Sequence, residues 1–354
     1  MPDRPTNDLL LRAARRLHTV RTPVWLMRQA GRYDPEYRRI RDRCGLALEQ
    51  IFRNPELAAQ ITLLPVRFGV DAAIIFQDIL TPLAPMGAPF QFRPGPVLAR
   101  PMAGPSDLLA LRLFDPRQEL AFVRSTVDLV QRELGGRIPL IGFAGAPLTL
   151  AAYLIEGGQP GPRARRMRAM LADQPQVLEQ LLERLAQMTV DYLAMLIDAG
   201  VHAVQLFESV ADLVDLEQYA RFAHRYHQFV FGRLPGTCPT ILFVKERPWL
   251  DLMVQSGADV LSVGCCVDLA EANRRYGDRV AFQGNVDNRL LQAGGAAQID
   301  QAVRRCVAAG HGIGHILNLN HGVLKETPVE HVQRFIEQAH SFRAASEPEA
   351  KVKP

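Results

Sequence analysis

Short, continuously apolar runs alternate with longer amphipathic stretches along the whole chain. Eight of these runs are candidate strands, because most are too short for helices and too uniformly apolar to have one face in water. The candidates span residues 24–27, 70–76, 138–143, 201–207, 240–244, 259–263, 279–283 and 314–319. The pattern is typical of parallel strands that are buried on both faces.

The stretches between the candidate strands carry apolar positions at helical spacing. Residues 105–135 and 173–199 repeat them at intervals of three and four, which predicts helices with one buried face. Pro175 and Pro328 are placed to open helices, and Gly200 is placed to end one.

Eight buried strands alternating with helices predict a closed (β/α)8 TIM barrel, a single-domain α/β fold. An open, doubly wound sheet is the alternative. The count of eight favours the barrel, and so does the lack of a G-x-G-x-x-G motif after the first strand. We expect residues 1–20 to form an arm or helix outside the barrel, residues 21–343 to form the barrel, and residues 344–354 to form a flexible polar tail.

Composition argues against several classes of protein. The net charge of +4, from 41 Lys and Arg against 37 Asp and Glu, is too small to predict nucleic-acid binding. No apolar run approaches the ~18 residues of a membrane span, and the charged N-terminus lacks the apolar core of a signal peptide. The five cysteines are few and odd in number, which argues against a disulfide framework. We therefore expect a cytoplasmic protein without a membrane or nucleic-acid partner.

Polar residues follow six of the eight predicted strands at the point where each strand ends. These segments are 28–33, 77–78, 144–158, 208–209, 284–287 and 320–322. In a barrel the carboxyl ends of all strands meet at one rim, where the active sites of barrel enzymes lie. The segments therefore predict one site at that rim.

The residue types in these segments suit a substrate with carboxylates and an apolar body. Arg28 and Arg32 are four residues apart, so in a helical turn they would share a face and could grip carboxylates. Asp78 ends the apolar run AAIIFQD, where it would be partly desolvated. There it could accept N–H donors or oppose the charge of a cationic intermediate. Ile74 and Phe76 would give this carboxylate an apolar wall.

Other chemistries fit the sequence less well. His321 could be a neutral core histidine, a base or a ligand. A Ser-His-Asp triad can be drawn from Ser209, His321 and Asp78, but no G-x-S-x-G elbow supports it. The adjacent Cys265 and Cys266 lack the spacing of zinc ligands, and no P-loop is present.

Two long stretches resemble the signature motifs of the uroporphyrinogen decarboxylase family. They are PVWLMRQAGRYDPEYR at 23–38 and GFAGAPLTLAAYLIEGG at 142–158. Shorter blocks resemble the family in the expected order: IIFQDIL at 74–80, QLFES at 205–209, QGNVD at 283–287 and HILNLNHG at 315–322. The resemblance covers roughly residues 20–340.

The resemblance implies a (β/α)8 barrel that needs no cofactor or metal and is usually a homodimer. Such an enzyme is a carboxy-lyase of haem and related tetrapyrrole biosynthesis. It converts uroporphyrinogen III to coproporphyrinogen III by successive decarboxylation of the four acetate arms to methyl groups.

The resemblance also implies roles for individual residues. Arg28 and Arg32 match the family's substrate-carboxylate arginines, and Asp78 matches the aspartate that binds the pyrrole N–H groups at the centre of the macrocycle. The other matched substrate-binding positions are Tyr153, Ser209 and His321, which are polar, and Ile74, Phe76 and Phe143, which are apolar. The residues expected to act in catalysis are Asp78, Arg28, Arg32, Tyr153 and His321.

The chain departs from the usual family pattern near several of these blocks. The departures are Asp34 for an apolar residue, Gln77 for Ser, Asp212 for Gly, Gly264-Cys265 for Asp-Trp, Asn288 for Pro, Asn320 for Gly, and Lys325-Glu326 within a proline-containing stretch. Two alternatives therefore stay open. One is a corrinoid or thiol methyltransferase of the same barrel superfamily, and the other is a tetrapyrrole-binding protein without catalysis.

Overall fold

A computed structural model describes residues 4–310 and 313–342. The predicted tail 344–354 lies outside the described residues. The strands are β1 Ala73–Ile74, β2 Phe90–Phe92, β3 Pro96–Leu98, β4 Leu140–Gly145, β5 Ala203–Glu208, β6 Thr240–Val244, β7 Val260–Ser262, β8 Ala281–Gln283 and β9 His315–Ile316. All except β2 and β3 form one parallel sheet, in which neighbours along the chain are neighbours in space.

The predicted first strand, 24–27, is not a regular strand, but its beginning closes this sheet. The Leu317 N–H donates to the Pro23 carbonyl at 2.9 Å, and the Asp71 N–H donates to the Val24 carbonyl at 2.7 Å. Val24 pairs in parallel with Leu317, next to β9. The segment thus bridges the two edges of the sheet, and the chain folds as the (β/α)8 barrel that the sequence predicts. The alternative of an open sheet is wrong.

A buried carboxylate fixes the seam where the barrel closes. Asp71 accepts the Val24 N–H at 2.8 Å, the Asn7 side-chain amide at 2.7 Å and both terminal nitrogens of Arg21 at 2.6 Å. Burial by itself raises the pKa of Asp71, but hydrogen bonds from Arg21, His340 and Asn7 lower it to about 2. The carboxylate is therefore ionised at neutral pH. It links the first barrel segment, through Val24, to the residues just before β1.

Helices surround the sheet. They are α1 Leu9–Ala14, α2 Pro35–Cys44, α3 Leu48–Phe52, α4 Pro55–Leu63, α5 Pro105–Ala110, α6 Pro116–Glu119, α7 Ala121–Leu134, α8 Pro147–Glu156, α9 Arg165–Asp173, α10 Pro175–Asp198, α11 Leu216–Tyr219, α12 Arg225–Phe231, α13 Leu250–Met253, α14 Leu269–Tyr276, α15 Asn288–Ala293, α16 Ala296–Ala309 and α17 Val329–Ser341. Short 3-10 helices span Leu64–Phe68, Thr81–Leu83 and Ala211–Leu213, and a π-helical turn spans Ala220–His224. Among the described residues, no helix is both long and apolar enough to cross a membrane.

The helical pattern over 105–135 is confirmed, but the stretch is divided among three helices, α5, α6 and α7. Pro116 has no N–H to continue a helix from the preceding turn, and it biases Asp115 away from helical backbone. Asp115 instead caps α6 by accepting the Arg117 N–H. The other predicted helix is confirmed, since α10 begins at Pro175 and ends just before Gly200, which has a φ of +99°.

A hairpin that the sequence did not predict lies between β1 and α5 in the chain. Its strands β2 and β3 pair antiparallel, and Val97 bridges to Gly158 at the end of α8. A methyl group at Gly158 would lie 2.8 Å from the Pro96 carbonyl oxygen, and one at Gly157 would lie 2.5 Å from Pro101. The two glycines therefore let the hairpin pack directly on α8.

Candidate active site

The structure places the predicted polar site residues at the carboxyl ends of the barrel strands. Arg28 and Arg32 lie in the turn after the first segment, Asp78 follows β1, Tyr153 lies on α8, Ser209 follows β5 and His321 follows β9. The apolar predictions Ile74 and Phe143 lie within β1 and β4, and both side chains are almost fully buried.

Asp78 is held by a local turn that leaves one of its oxygens unused. Its Oδ1 accepts the Leu80 N–H at 2.9 Å, and its own N–H donates to the Thr81 hydroxyl at 3.3 Å. Within the described chain, Oδ2 accepts no hydrogen bond. Burial raises the pKa of Asp78 to about 6, although the Leu80 N–H and the charge of Arg28 lower it in part. The carboxylate is therefore mainly ionised at neutral pH and has a free acceptor.

Asp78 lines a cavity of about 250 Å³ whose walls are mostly apolar and include four phenylalanines. Phe52, Phe90 and Phe92 lie on these walls, and Phe90 packs edge-on against Tyr153 at 6.4 Å between ring centroids. Phe76 lies one layer back, since its ring packs against Phe52 at 5.2 Å. An apolar body beside Asp78 would meet aromatic surface.

Tyr153 belongs to the same electrostatic environment. Burial and, to a smaller extent, the negative charge of Asp78 raise the pKa of its phenol to about 12, although the charge of Arg28 opposes them. Arg28 thus acts on both Asp78 and Tyr153, without an ion pair between the described side chains of Arg28 and Asp78. The phenol is protonated at neutral pH and can donate a hydrogen bond.

Arg28 takes an unusual backbone conformation for a residue with a side chain, with a φ of +58°. The segment is a turn, so the helical face that Arg28 and Arg32 would share is not formed. The Arg28 side chain instead lies over Gly322, next to His321. Arg32 is exposed, and its carbonyl accepts a hydrogen bond from Arg38 at 2.8 Å. The charge of Arg28 acts on Asp78 and Tyr153, whereas Arg32 does not contribute to the electrostatics of either group.

A row of four rings crosses the strand ends beside these charges. Phe143 packs edge-on against Phe207 at 5.5 Å, Phe207 packs against Phe243 at 5.6 Å, and Phe243 packs edge-on against His321 at 5.6 Å. Phe207 and Phe243 were not among the predicted site residues. They lie at the ends of apolar runs, and only their place near the carboxyl ends of β5 and β6 distinguishes them from core residues. The row gives the rim an apolar floor.

His321 is a neutral imidazole at the end of this row. Its Nδ1 lies 2.8 Å from the Gly322 N–H and accepts it, so the ring proton sits on Nε2. Burial lowers the pKa of His321 to about 4, and the positive charges of Arg28 and Lys245 act in the same direction. His321 therefore offers a neutral N–H donor at pH 7 rather than a cation.

Ser209 is positioned from below by buried polar groups. Its backbone N–H donates to the Thr149 hydroxyl at 2.8 Å, and that hydroxyl donates to the fully buried Glu208 at 2.6 Å. Glu208 in turn lies 3.3 Å from the buried His227. These hydrogen bonds join the end of β5 to α8, which also carries Tyr153. The positions of Ser209 and Tyr153 are therefore linked.

Three of the departures from the family pattern form one connected network. Asn320 donates to the Glu246 carboxylate at 2.7 Å and accepts the Asn288 N–H at 2.9 Å, while the Asn288 side chain donates to the Gly322 carbonyl at 2.8 Å. A methyl group at Gly264 would lie 2.6 Å from that same carboxylate. The carboxylate of Glu246 thus fills the space that a side chain at position 264 would need.

The remaining departures have separate surroundings. Asp34 is buried, caps α2 and forms an ion pair with Arg67 at 2.5 Å. Gln77 donates to the Phe52 carbonyl at 2.9 Å, and Asp212 pairs with Lys245 at 3.1 Å.

The two adjacent cysteines also lie at this part of the rim. The Cys265 thiol is 3.7 Å from both carboxylate oxygens of Glu246, and the Cys266 N–H donates to one of them at 3.3 Å. Across residues 4–310 and 313–342, no group of three or more His, Cys, Asp or Glu side chains is arranged to hold a metal ion.

The fold and the rim define a barrel protein whose site combines a half-buried carboxylate, a nearby arginine and an aromatic floor. The family model described as "Uroporphyrinogen decarboxylase (URO-D)" matches residues 5–342. A uroporphyrinogen decarboxylase of Alkalilimnicola ehrlichii is 42% identical over 345 residues, which are 95% of this chain and 94% of that protein. One of Chloroflexus aurantiacus is 44% identical and covers 95% of this chain and 96% of its own. The chain belongs to the uroporphyrinogen decarboxylase family.

A solved structure agrees with this fold. A methyltransferase from Methanosarcina mazei superposes with a TM-score of 0.81 over 96% of this chain and 99% of its own. Its sequence is only 19% identical, so the likeness concerns the fold alone.

Proposed function

We propose that the protein decarboxylates uroporphyrinogen III to coproporphyrinogen III. The observation that carries this proposal is the Asp78 carboxylate, which keeps one free oxygen beside an apolar cavity and within the field of Arg28. A porphyrinogen is an apolar ring with inward N–H donors and eight carboxylate arms. An acceptor among aromatic walls with cations around it matches that distribution of polarity.

The reaction needs an electron sink, and the pyrrole supplies it. A proton adds to the ring carbon next to the acetate arm, and the ring becomes a cation. The bond to the carboxylate carbon then breaks, its electron pair neutralises the ring, and carbon dioxide leaves. A second proton adds to the exocyclic methylene, and loss of the first restores the aromatic pyrrole, so that one proton replaces carbon dioxide overall. No organic cofactor or metal enters this sequence.

Asp78 is the group that opposes the cationic ring. It accepts pyrrole N–H donors through its free oxygen, and its negative charge stabilises the protonated intermediate in surroundings with little water. The high pKa of Tyr153 and the neutral state of His321 make both poor proton donors at pH 7. Arg28 and Arg32 are the cations that hold the arms and orient the water that carries the proton.

The other matched residues bind the substrate. Tyr153, Ser209 and His321 donate hydrogen bonds to carboxylate arms, and the apolar side chains Ile74, Phe76 and Phe143 support the pocket around the ring. We further propose that the enzyme acts as a homodimer in the cytoplasm.

The test is anaerobic incubation with uroporphyrinogen III, followed by separation of products by number of carboxyl groups. Wild type should yield the series of partly decarboxylated intermediates and then coproporphyrinogen III. Asp78→Ala and Arg28→Ala should each lose about a hundredfold or more in turnover. Near-wild-type turnover in either variant refutes the role of that residue.

The same experiment separates the two alternatives. A tetrapyrrole-binding protein without catalysis would retain the substrate and release no carbon dioxide. A zinc-dependent methyltransferase would contain stoichiometric zinc after purification and would leave the carboxyl count unchanged.

A further inference from the structure

A lysine and an aspartate form an ion pair next to the row of rings, outside the residues assigned so far. Lys245 directly follows β6, and its Nζ lies 3.1 Å from Oδ2 of Asp212. Two residues before Lys245, Phe243 packs its ring edge-on against His321. Lys245 is also close enough to His321 for its charge to lower the pKa of that imidazole. The pair therefore stands at the rim beside the proposed substrate site.

Both partners are held in place by the backbone around them. The Lys245 N–H donates to the Glu208 carbonyl at 3.0 Å, which fixes its origin on the barrel. On the other side, Arg247 donates to the carbonyls of Ala211 at 3.3 Å and Asp212 at 3.0 Å. The Asp212 carboxylate is thus presented to Lys245 by a clamped turn rather than by a free loop.

The pair is nevertheless open to exchange. The Lys245 and Asp212 side chains are 34% and 39% exposed, and no third charged group completes the pair among the described residues. Exposed pairs of this kind contribute little to stability because both charges are well hydrated. A carboxylate from a ligand can replace Asp212 on Lys245 at small cost.

We propose that Lys245 is an additional cation for a carboxylate arm of the substrate, and that Asp212 is a built-in competitor that occupies it when the site is empty. The inference rests on the proposed function, because it requires a substrate with carboxylate arms that reach the rim. Asp212 then weakens substrate affinity, whereas Lys245 strengthens it.

The two residues therefore give changes of opposite sign when they are substituted. Lys245→Met should raise KM for uroporphyrinogen III about tenfold, as loss of a charge-assisted hydrogen bond predicts, with kcat little changed. Asp212→Asn should lower KM by about two- to fivefold, because an exposed competing pair is removed. When Lys245→Met is already present, adding Asp212→Asn should not change KM, since no cation remains to be released. Lys245→Arg should restore most of the affinity.

A matched control removes the same charges elsewhere. Arg334 and Asp300 pair at 2.5 Å between the outer helices α16 and α17, outside the segments that follow the strands. Asp300→Asn and Arg334→Met should leave KM and kcat at wild-type values. If both Lys245→Met and Asp212→Asn also leave KM unchanged, or both raise it, the pair is only structural and the inference is overturned.

Direct binding separates this inference from the proposed function. The Kd of uroporphyrinogen III is measured anaerobically by ultrafiltration for the same variants. A wild type that binds the porphyrinogen without decarboxylating it would end the proposed function, while the order of Kd values would still decide the role of Lys245. A wild type that turns over, with equal Kd and KM in all variants, would end only the inference. Failure of the wild type to bind the porphyrinogen would end both.

Discussion

Arg28 lies directly over Gly322, where a methyl group would be 2.6 Å from Cδ and 2.8 Å from Cγ of the arginine. The two residues come from opposite ends of the chain and meet because the barrel closes between the first segment and β9. The backbone N–H of Gly322 also orients the His321 ring. One glycine therefore sets the position of a cation and the tautomer of a neighbouring imidazole.

Substitution of this glycine should displace Arg28. Gly322→Ala adds a methyl group where the arginine stem lies, so the guanidinium must move. Misplacement of a positioning group by about 1 Å can cost on the order of a hundredfold, and we expect kcat/KM for decarboxylation to fall by about ten- to a hundredfold. Gly161→Ala is the matched control, because a methyl group there meets no atom within 4 Å. Wild-type kinetics in Gly322→Ala would show that Arg28 is not held in this way.

The rate should depend on the ionisation of Asp78. Its pKa is raised to about 6, so the carboxylate becomes protonated as the pH falls through that value. We expect kcat/KM to decline on the acid side with an apparent pKa near 6, and the decline to be absent in the residual activity of Asp78→Asn. His321 titrates near 4 and should not contribute there. A profile that is flat from about pH 5 to 8 would contradict the assignment.

Asp71 should stabilise the closed barrel only where it is ionised. Its folded pKa of about 2 lies below the ordinary value of 3.8, so its contribution is present above pH 3.8 and is lost as the pH falls toward 2. The shift corresponds to about 2 kcal/mol of unfolding free energy. We expect Asp71→Asn to lose about that much in urea unfolding at pH 7, with the difference from wild type shrinking in acid.

Asp300 serves as a control for this measurement. Asp300→Asn should change the unfolding midpoint less than Asp71→Asn does, because the Asp300 and Arg334 side chains are 21% and 45% exposed and water screens their interaction. An Asp71→Asn deficit that stays constant down to pH 2 would indicate lost packing rather than lost charge.

The effects on stability of substitutions at Glu246 and at Gly264 should depend on each other. Gly264→Asp would place Cβ 2.6 Å from a Glu246 oxygen. We expect a loss of about 1–3 kcal/mol of stability from this overpacking. Adding Glu246→Gly should recover part of it, because it removes the clash and relieves a positive φ of +45°. Thermal unfolding of both single variants and the double variant measures this coupling, and equal losses in Gly264→Asp and the double variant would refute it.

Much of the fold could be predicted because burial on both faces leaves a local mark. Strands β4, β5 and β6 fall within or close to continuous apolar runs, and the polar residues after each run fall at one rim. The first strand could not be predicted in detail, since whether residues 24–27 pair regularly depends on the gap left by β9 and β1. The split of 105–135 did have a local signal, the proline at position 116, which outweighs the apolar spacing.

The sequence by itself determined the barrel, the rim and the identity of most polar groups there, because periodicity and strand-end position are local properties of a chain. The tertiary structure alone decided that the charge of Arg28, rather than that of Arg32, acts on Asp78. It alone also placed Phe207 and Phe243 beside His321, and Lys245 against Asp212. These pairs of residues are tens of positions apart along the chain. They depend on the closure and stagger of the barrel, which no local pattern of residues records.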